Sequence, residues 1–198
     1  MRPCLQQIIP IVEGHGEVEA VRILLKRLGR EFLNTEFHVH RPIRRPRSKL
    51  VQADELRRAV DLADLKLKGT RSTFGSGLIL ILLDADADLP CELGPRLLQM
   101  AFRERDPQLS CVVANVEYET WFVAAASSLP KFLNLPDAVP SDPEGLRQGK
   151  GWIKRYFNGA KYSEVVDQPR LTYAMDLHLC RQRSPSFDKL CRDLQRFV

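Results

Sequence analysis

The sequence predicts an α/β protein, an open parallel sheet with helices on both faces and a helical extension at the C-terminal end. Residues 78–83 form an uninterrupted apolar run, as expected of a strand buried on both faces of a parallel sheet. Amphipathic helical patterns alternate with this run and with other short apolar segments. The 198 residues, 44% hydrophobic and 28% charged, are typical of a globular domain and exclude a disordered or coiled-coil chain.

The first half of the chain reads as alternating strands and helices. The first predicted strand contains Pro10, which lacks the N–H that a central strand would use. Gly14 and Gly16 then predict a turn, and from Glu17 the apolar residues fall on one face of a helix. Pro90 is expected to end the third strand. The patterns predict strands at residues 5–12, 37–43, 78–83 and 111–116, and helices from residue 17, at 52–68 and at 93–103.

The second half of the chain lacks the alternating strand and helix patterns of the first. Prolines and glycines interrupt residues 129–151, which predicts loops. A helix is expected at residues 171–180, and Ser184 followed by proline predicts the N-cap of a last helix. We therefore expect an α/β domain at residues 1–126 and a loop-rich, helical extension at 127–198.

Positive charge is concentrated in one stretch. The chain has a net charge of +5, and residues 41–50 alone supply five cations and no acid. Such a patch suits a polyanion, and a nucleic acid backbone is the partner that it suggests. A solvated, arginine-rich loop is the alternative. The candidate phosphate-binding residues are Arg44, Arg45, Arg47 and Lys49.

Several classes of protein are excluded by what the sequence lacks. Its longest apolar run has six residues, whereas a membrane helix needs about 20, so we expect no membrane association. The first residues are too short and too quickly acidic for a secretory signal. Five cysteines without a CxxC pair predict reduced thiols in a cytoplasmic protein, not a disulfide framework or a zinc site.

Three aspartates, Asp84, Asp86 and Asp88, follow the predicted buried strand directly. Ligands bind at the carboxyl ends of parallel strands, and alternate residues of an extended chain point the same way, so we expect the three carboxylates to converge. Carboxylates that close repel one another unless a cation neutralises them. Oxygen ligands suit Mg²⁺ or Mn²⁺. Capping of the next turn by Asp84 or Asp88 is the alternative.

Other acids follow two further strands. Glu13 comes at the end of the first strand, and it would share a site with Asp84 if the two strands are neighbours. Glu17 is either a further ligand or an acid that favours the helix N-terminus, and the second interpretation is slightly preferred. Of Glu117 and Glu119, only one is expected to face the site, and a surface acid beside Trp121 is the alternative.

The remaining candidates are weaker. The histidines share no metal-ligand spacing, and the glycines near residue 14 lack a complete nucleotide-binding fingerprint. Residues 149–157 mix basic and aromatic side chains, which could contact nucleic acid by charge and stacking. A helix that uses these aromatic residues in the core is the more common explanation.

Taken in order, the acidic motifs resemble those of a known family. Glu13-Gly14 after the first strand and Asp84-x-Asp86 after a later one are similar to the Toprim domains of topoisomerases, primases and OLD-family nucleases. Together with Glu117-x-Glu119-x-Trp121-Phe122 and Ser184-Pro185-Ser186-Phe187, they more closely resemble a prokaryotic Toprim-like family, domain of unknown function 4276. The resemblance covers nearly the whole chain.

The resemblance implies magnesium-dependent phosphodiester chemistry. In Toprim enzymes the residue matched by Glu13 is a metal ligand or a general acid/base, and those matched by Asp84 and Asp86 hold the metal. Glu17, Asp88 or Glu119 would serve a second ion, as extra acids do in OLD-like nucleases. The resemblance therefore implies a nuclease that acts on nucleic acid, DNA rather than RNA, with an ATPase as a partner protein. A non-catalytic nucleic-acid-binding or ATPase-partner subunit is the main alternative, and a small-molecule phosphohydrolase or nucleotide-binding enzyme on the same sheet is a further one.

Overall fold

A sheet of five parallel strands forms the centre of the computed structural model, which describes residues 6–75, 77–102 and 108–198. The strand order is β2-β1-β4-β5, and β3 pairs with β1 on the same side as β2. The expected open parallel sheet is confirmed. The strands are β1 (Gln7–Val12), β2 (His38–Val39), β3 (Ile43–Arg44), β4 (Gly77–Asp84) and β5 (Gln108–Ala114).

Helices cover both faces of the sheet. They are α1 (Glu17–Phe32), α2 (Arg47–Leu50), α3 (Ala53–Phe74), α4 (Pro90–Ala101), α5 (Glu119–Ala124), α6 (Gly149–Tyr156), α7 (Glu164–Ala174), α8 (Leu177–Arg183) and α9 (Pro185–Phe197), with a 3₁₀ turn at Ala126–Ser128.

The two faces of the sheet have separate hydrophobic cores. Side chains alternate along each strand, so Ile8 faces one side of β1 and Ile9 the other. The Ile8 side packs against α1 and the C-terminal helices, whereas the Ile9 side packs against α3 and α4. The predicted apolar faces of the helices, such as Leu24 and Leu28 of α1, supply these cores. Burial of these apolar faces holds the helices on the sheet.

Pro10 lies in a central strand, where its missing N–H would be expected to cost a ladder hydrogen bond. On the β2 side, Ile8 O accepts from His40 N. On the β3 side, Val12 O accepts from Arg45 N. Alternation therefore turns Pro10 toward the gap between these two short strands, so no ladder donor is missed.

Some predicted boundaries in the first half are wrong. The single strand expected at residues 37–43 is two short strands, β2 and β3, and the helix expected at 52–68 extends to Phe74. Pro90 does not end β4, which already ends at Asp84; it is the first residue of α4, where no intrahelical N–H bond is needed. Leu5, Arg103 and Cys4 lie outside the described residues.

The helix expected at residues 171–180 is wrong, because the chain breaks there into α7 and α8. Asp176 stands between them and caps α8 by accepting from Leu179 N. The predicted N-cap of the last helix is confirmed, since the Ser184 hydroxyl accepts from Phe187 N and proline opens α9. The expected helical C-terminal extension is therefore present, with different internal boundaries.

The C-terminal helices share a hydrophobic core with the sheet. Trp121 of α5 and Phe187 of α9 are fully buried in the same cluster as Ile8 of β1. The expected division between residues 126 and 127 stays a prediction. Of the described cysteines, Cys91 is exposed and the others are buried free thiols. Within the described part of the chain, none of the helices has the length and apolar character that crossing a membrane requires.

Candidate functional site

The carboxyl ends of β1 and β4 lie side by side, as the sequence interpretation required. Val12 pairs with Leu82, so Glu13 and Asp84 follow adjacent strands at one edge of the sheet. Asp84 also pairs with Ala114, which brings the chain after β5 to the same edge. Four carboxylates from these three connections interact, and we call them the acidic cluster: Glu13, Glu17, Asp84 and Glu119.

Asp84 lies at the centre of the acidic cluster. Its Oδ1 accepts a hydrogen bond from Tyr118 N at 2.8 Å, which fixes the carboxyl group below the start of α5. Burial raises the pKa of Asp84 well above its usual value, and the neighbouring Glu17, Glu119 and Glu13 raise it further. Interaction with three other acids shows that the cluster is one electrostatic unit.

Glu17 lies in the first turn of α1, where an acid favours the helix N-terminus, and it also takes part in the acidic cluster. It is 4% exposed, and its Oε2 accepts from Glu13 N at 3.1 Å. Burial raises the pKa of Glu17 to about 7, against the opposing effect of backbone hydrogen bonds from Gly14 and Glu13. Burial also raises the pKa of Glu13, with Asp86 as the next cause. The Oε2 atom of Glu13 is buried and has no hydrogen-bond partner.

Glu119 is the inward-facing member of the third acidic motif. It is fully buried in the first turn of α5, where its Oε1 accepts from Tyr162 at 3.0 Å and from Gln168 at 3.1 Å. Its Oε2 is buried without a partner. Burial raises the pKa of Glu119, and Lys150 opposes this rise. Glu117 instead accepts from the backbone N of Lys150 at 2.7 Å.

The C-terminal segment completes the site with residues that the sequence analysis did not assign to it, namely Lys150, Tyr162 and Gln168. Two glycines permit the approach, because a side chain on Gly16 would clash with Gln168, and a Cβ on Gly149 would lie 2.7 Å from Thr120 Oγ1. The signal in the sequence is the Gly-Lys-Gly run at residues 149–151, a pattern that by itself indicates only a nucleic acid contact or a core helix.

Lys150 is a cation that lies beside the acidic cluster. Its Nζ lies 3.2 Å from Glu164 Oε1. Burial lowers its pKa, but the carboxylates of Glu119, Glu164 and Glu117 outweigh burial and raise the pKa above its usual value. Lys150 therefore stays charged and partly neutralises the acids around it.

The expectation that an extended chain aligns Asp84, Asp86 and Asp88 is wrong, although Asp86 still acts on the acidic cluster by raising the pKa of Glu13. The chain leaves the extended conformation after Asp84 and turns, with Asp86 in the left-handed region at φ 51°. Alternation of side chains therefore no longer applies. Both carboxylates are about half exposed and form ion pairs with Arg47, at 3.2 Å for Asp86 and 2.6 Å for Asp88.

Arg47 faces the acids and not an external phosphate. Its guanidinium donates to the backbone carbonyls of Asp84 and Ala85 as well as to Asp88 Oδ2. The predicted basic stretch is thus divided, because Arg44 donates to Glu13 O at 3.4 Å, whereas Lys49 is exposed. Arg45 donates to the carbonyl of Arg44. The hypothesis that all four residues bind phosphate stays a prediction.

The carboxylate oxygens of the acidic cluster are ligands that a hard cation prefers, but they are not arranged as a complete coordination sphere. Among the described residues, no three histidine, cysteine, aspartate or glutamate side chains are placed to hold a metal ion. Glu17, Asp84 and Glu119 each direct an oxygen to a protein donor instead. Buried acceptors without partners remain at Glu13 Oε2, Glu119 Oε2 and Gln168 Oε1. Oxygen donors of this kind suit Mg²⁺ or Mn²⁺.

The fold and site define an α/β protein with a buried carboxylate cluster at the carboxyl edge of a parallel sheet. The chain belongs to the family described as Domain of unknown function (DUF4276), whose model matches residues 12–195. The family that the motifs predicted is therefore confirmed. No curated protein and no solved structure matches the chain. The relation to Toprim domains stays a prediction.

Proposed function

We propose that this protein is a Toprim-like nuclease that hydrolyses phosphodiester bonds of nucleic acid with Mg²⁺ or Mn²⁺. The observation that carries the proposal is the acidic cluster, in which four carboxylates from three connections lie together, Glu17 and Glu119 buried and Glu13 and Asp84 partly buried. Burying several like charges is costly unless a cation compensates them. A bound divalent ion gives this arrangement a physical reason.

The carboxylates divide into two groups in this proposal. Glu13, Asp84 and Asp86 would hold the principal ion, and Glu17, Asp88 or Glu119 would serve a second one. Bound ions would activate a water molecule and offset the negative charge that develops on the scissile phosphate. The chain's own contribution is orientation, since Tyr118 N holds Asp84, and Tyr162 and Gln168 hold Glu119.

The unpartnered oxygens are consistent with this division. Glu13 Oε2 and Glu119 Oε2 are both buried, and neither accepts a hydrogen bond. A buried acceptor without a donor costs about 1–3 kcal/mol. An ion in the cluster would remove that cost at both positions. Glu13, with a pKa raised by burial, also keeps the general acid/base role that the family resemblance implies.

The proposal extends to partners by resemblance. We place the enzyme in the cytoplasm of a prokaryote, in a defence or mobile-element system with an ATPase partner, and take DNA rather than RNA as its substrate. Arg44, Arg45 and Lys49 form no ion pair with a carboxylate among the described residues, which leaves their charges for contact with phosphates. Such contacts would be independent of base sequence and sensitive to salt.

The decisive experiment compares wild type with Asp84→Asn in cleavage of plasmid and single-stranded DNA. We expect cleavage that requires Mg²⁺ or Mn²⁺, stops with EDTA and falls by at least about 100-fold in the variant. Asparagine can still accept from Tyr118 N, and it removes a desolvated charge, so the melting temperature should not fall. Asp54→Asn, at an acid 85% exposed on α3, is the matched control.

Two results would contradict the proposal. Undiminished cleavage by Asp84→Asn would remove Asp84 from the reaction. Calorimetric titration of Mg²⁺ should show binding to wild type and weakened binding to the Asp84→Asn/Asp86→Asn double variant. Equal binding to both proteins would place any ion elsewhere.

A non-catalytic nucleic-acid-binding or ATPase-partner subunit is the second candidate. Arg47 favours it, because this guanidinium already neutralises Asp86 and Asp88 and holds their turn. The two candidates differ in turnover. A subunit of this kind binds nucleic acid equally in Mg²⁺ and EDTA and yields no product in either.

A further inference from the structure

A charged cleft lies between α1 and the edge strand β2, apart from the acidic cluster. It encloses about 250 Å³ and is lined by three cations, Arg22, Lys26 and Arg30, together with Glu36 and His38. Phe37 and Val39, which belong to the hydrophobic core beneath α1, also line the cleft. The cleft is thus a concave surface of mainly positive charge.

The three cations form a row along α1. Residues four apart lie on one helix face with Cβ atoms about 6 Å apart, so Arg22, Lys26 and Arg30 are evenly spaced. A row of this kind suits successive phosphates of an extended strand better than one compact anion, toward which the cations would have to converge.

The cations are available to a ligand. Arg22 and Arg30 pair with Glu19 and Glu36 at 3.0 and 3.1 Å; the Arg30 pair is largely exposed and the Arg22 pair partly so, and solvent-screened pairs of this kind contribute little. Lys26 has no carboxylate within ion-pair distance among the described residues.

The row leads away from the acidic cluster. α1 begins at the carboxyl edge of the sheet with Glu17, so Arg22 lies about 8 Å and Arg30 about 20 Å farther along the helix axis. A strand with its scissile phosphate at the acids could therefore place flanking phosphates on the row. The predicted basic stretch is less suited to this, because Arg47 is directed into the acidic turn.

We propose that the cleft between α1 and β2 binds the phosphate backbone of the nucleic acid strand on which the acidic cluster acts. This inference rests on the proposed function and assigns its substrate-binding surface. Arg22, Lys26 and Arg30 hold three phosphates, and neither the acids nor a divalent ion is needed for this contact.

The test is a binding titration with a fluorescent single-stranded oligonucleotide in EDTA, at several salt concentrations. The variant is Arg22→Gln/Lys26→Gln/Arg30→Gln. The matched control is Arg58→Gln/Lys68→Gln/Arg71→Gln, which removes three exposed cations from α3 on the other face of the sheet. We expect at least about tenfold weaker binding for the α1 variant at low salt, and a salt slope smaller by about 2. The control should bind like wild type.

The outcomes separate this inference from the proposed function. If the α1 variant binds like the α3 control, the cleft is not the binding surface, while the nuclease proposal stands on its cleavage assay. If wild type binds the oligonucleotide but never cleaves it, the nuclease proposal fails and the α1 variant still tests the cleft. If wild type binds no nucleic acid, both are overturned.

Discussion

Two glutamates of this protein are held in polar networks, and the networks differ in how completely they satisfy the carboxylate. Glu144 Oε1 accepts from the hydroxyls of Ser184 and Ser186 and from Ser186 N. Its Oε2 faces Asn115 Nδ2 at 3.5 Å. Glu119 Oε1 has two donors, whereas its Oε2 is buried with none.

The difference separates a carboxylate that the fold explains from one that it does not. Glu144 fastens the proline-rich loop to the N-terminus of α9, where donors and the helix dipole favour an anion. Ser186 extends this network by accepting from Trp121 Nε1 at 2.8 Å. The acidic cluster has fewer donors than its carboxylates can use, and an undersatisfied site of this kind is expected where a ligand binds.

The largest effect on stability is expected at Glu144. Glu144→Ala leaves the hydroxyls of Ser184 and Ser186 without their acceptor, so the free energy of unfolding should fall by about 3 kcal/mol in urea titrations. Glu144→Gln keeps an acceptor and should cost less. The converse change, Glu119→Gln, removes a desolvated charge and should leave stability at pH 8 unchanged or higher. If Glu119→Gln and Glu144→Ala lowered the free energy of unfolding equally, the proposed difference between the two carboxylates would be contradicted.

A smaller effect is expected from pH. The folded pKa of Glu17, about 7, lies above its unfolded value near 4.5. Its stabilising contribution is therefore present at low pH and lost as pH rises through that interval. In EDTA the free energy of unfolding should fall by about 2 kcal/mol from pH 5 to pH 8 through this group.

Glu17→Gln isolates this contribution. His38 and His40 act in the opposite direction, because burial lowers their pKa values and their charging at low pH opposes folding. The histidines are common to both proteins, so the difference between wild type and Glu17→Gln reports on Glu17 and on its interaction with the other acids of the cluster. A difference that stays constant from pH 5 to pH 8 would contradict the assignment of a buried, proton-binding Glu17.

The smallest effect concerns Arg47, which holds the acidic turn through the carbonyls of Asp84 and Ala85. Arg47→Gln should lower the free energy of unfolding by about 1 kcal/mol and alter Mg²⁺ affinity in calorimetry. It should leave the salt dependence of nucleic acid binding unchanged. A smaller salt slope would instead support the original hypothesis that Arg47 binds phosphate, and Arg45→Gln provides the matched comparison.

Patterns of local origin were predicted well from the sequence. The apolar run at residues 78–83 became the buried centre of β4, because six consecutive apolar residues have no stable place except between two covered faces. The N-cap at Ser184 was also predicted, since capping depends on one hydroxyl and the next turn of helix. The prediction of a single second strand was wrong because Pro42 separates β2 from β3, and an edge of the sheet tolerates this interruption.

The candidate site was predicted in part. The sequence indicated that Glu13 and Asp84 follow strands, and it left open which of Glu117 and Glu119 faces inward. Helix α5 starts at Glu119 and turns this carboxylate into the core beside Trp121. The alternative, a surface acid beside Trp121, therefore does not describe Glu119. The extended conformation predicted for the three aspartates is wrong, because the chain turns at Asp86.

By itself, the sequence determined the family, the parallel α/β architecture and the acidic motifs at strand ends, because these depend on residue type and short-range period. Only the tertiary structure decided that Lys150, Tyr162 and Gln168 join the acids and that Arg47 turns inward. Those contacts connect segments distant in the chain. They depend on Gly16, which lets α7 approach the start of α1, and on Gly149, which lets α6 approach α5, and no local pattern encodes these approaches.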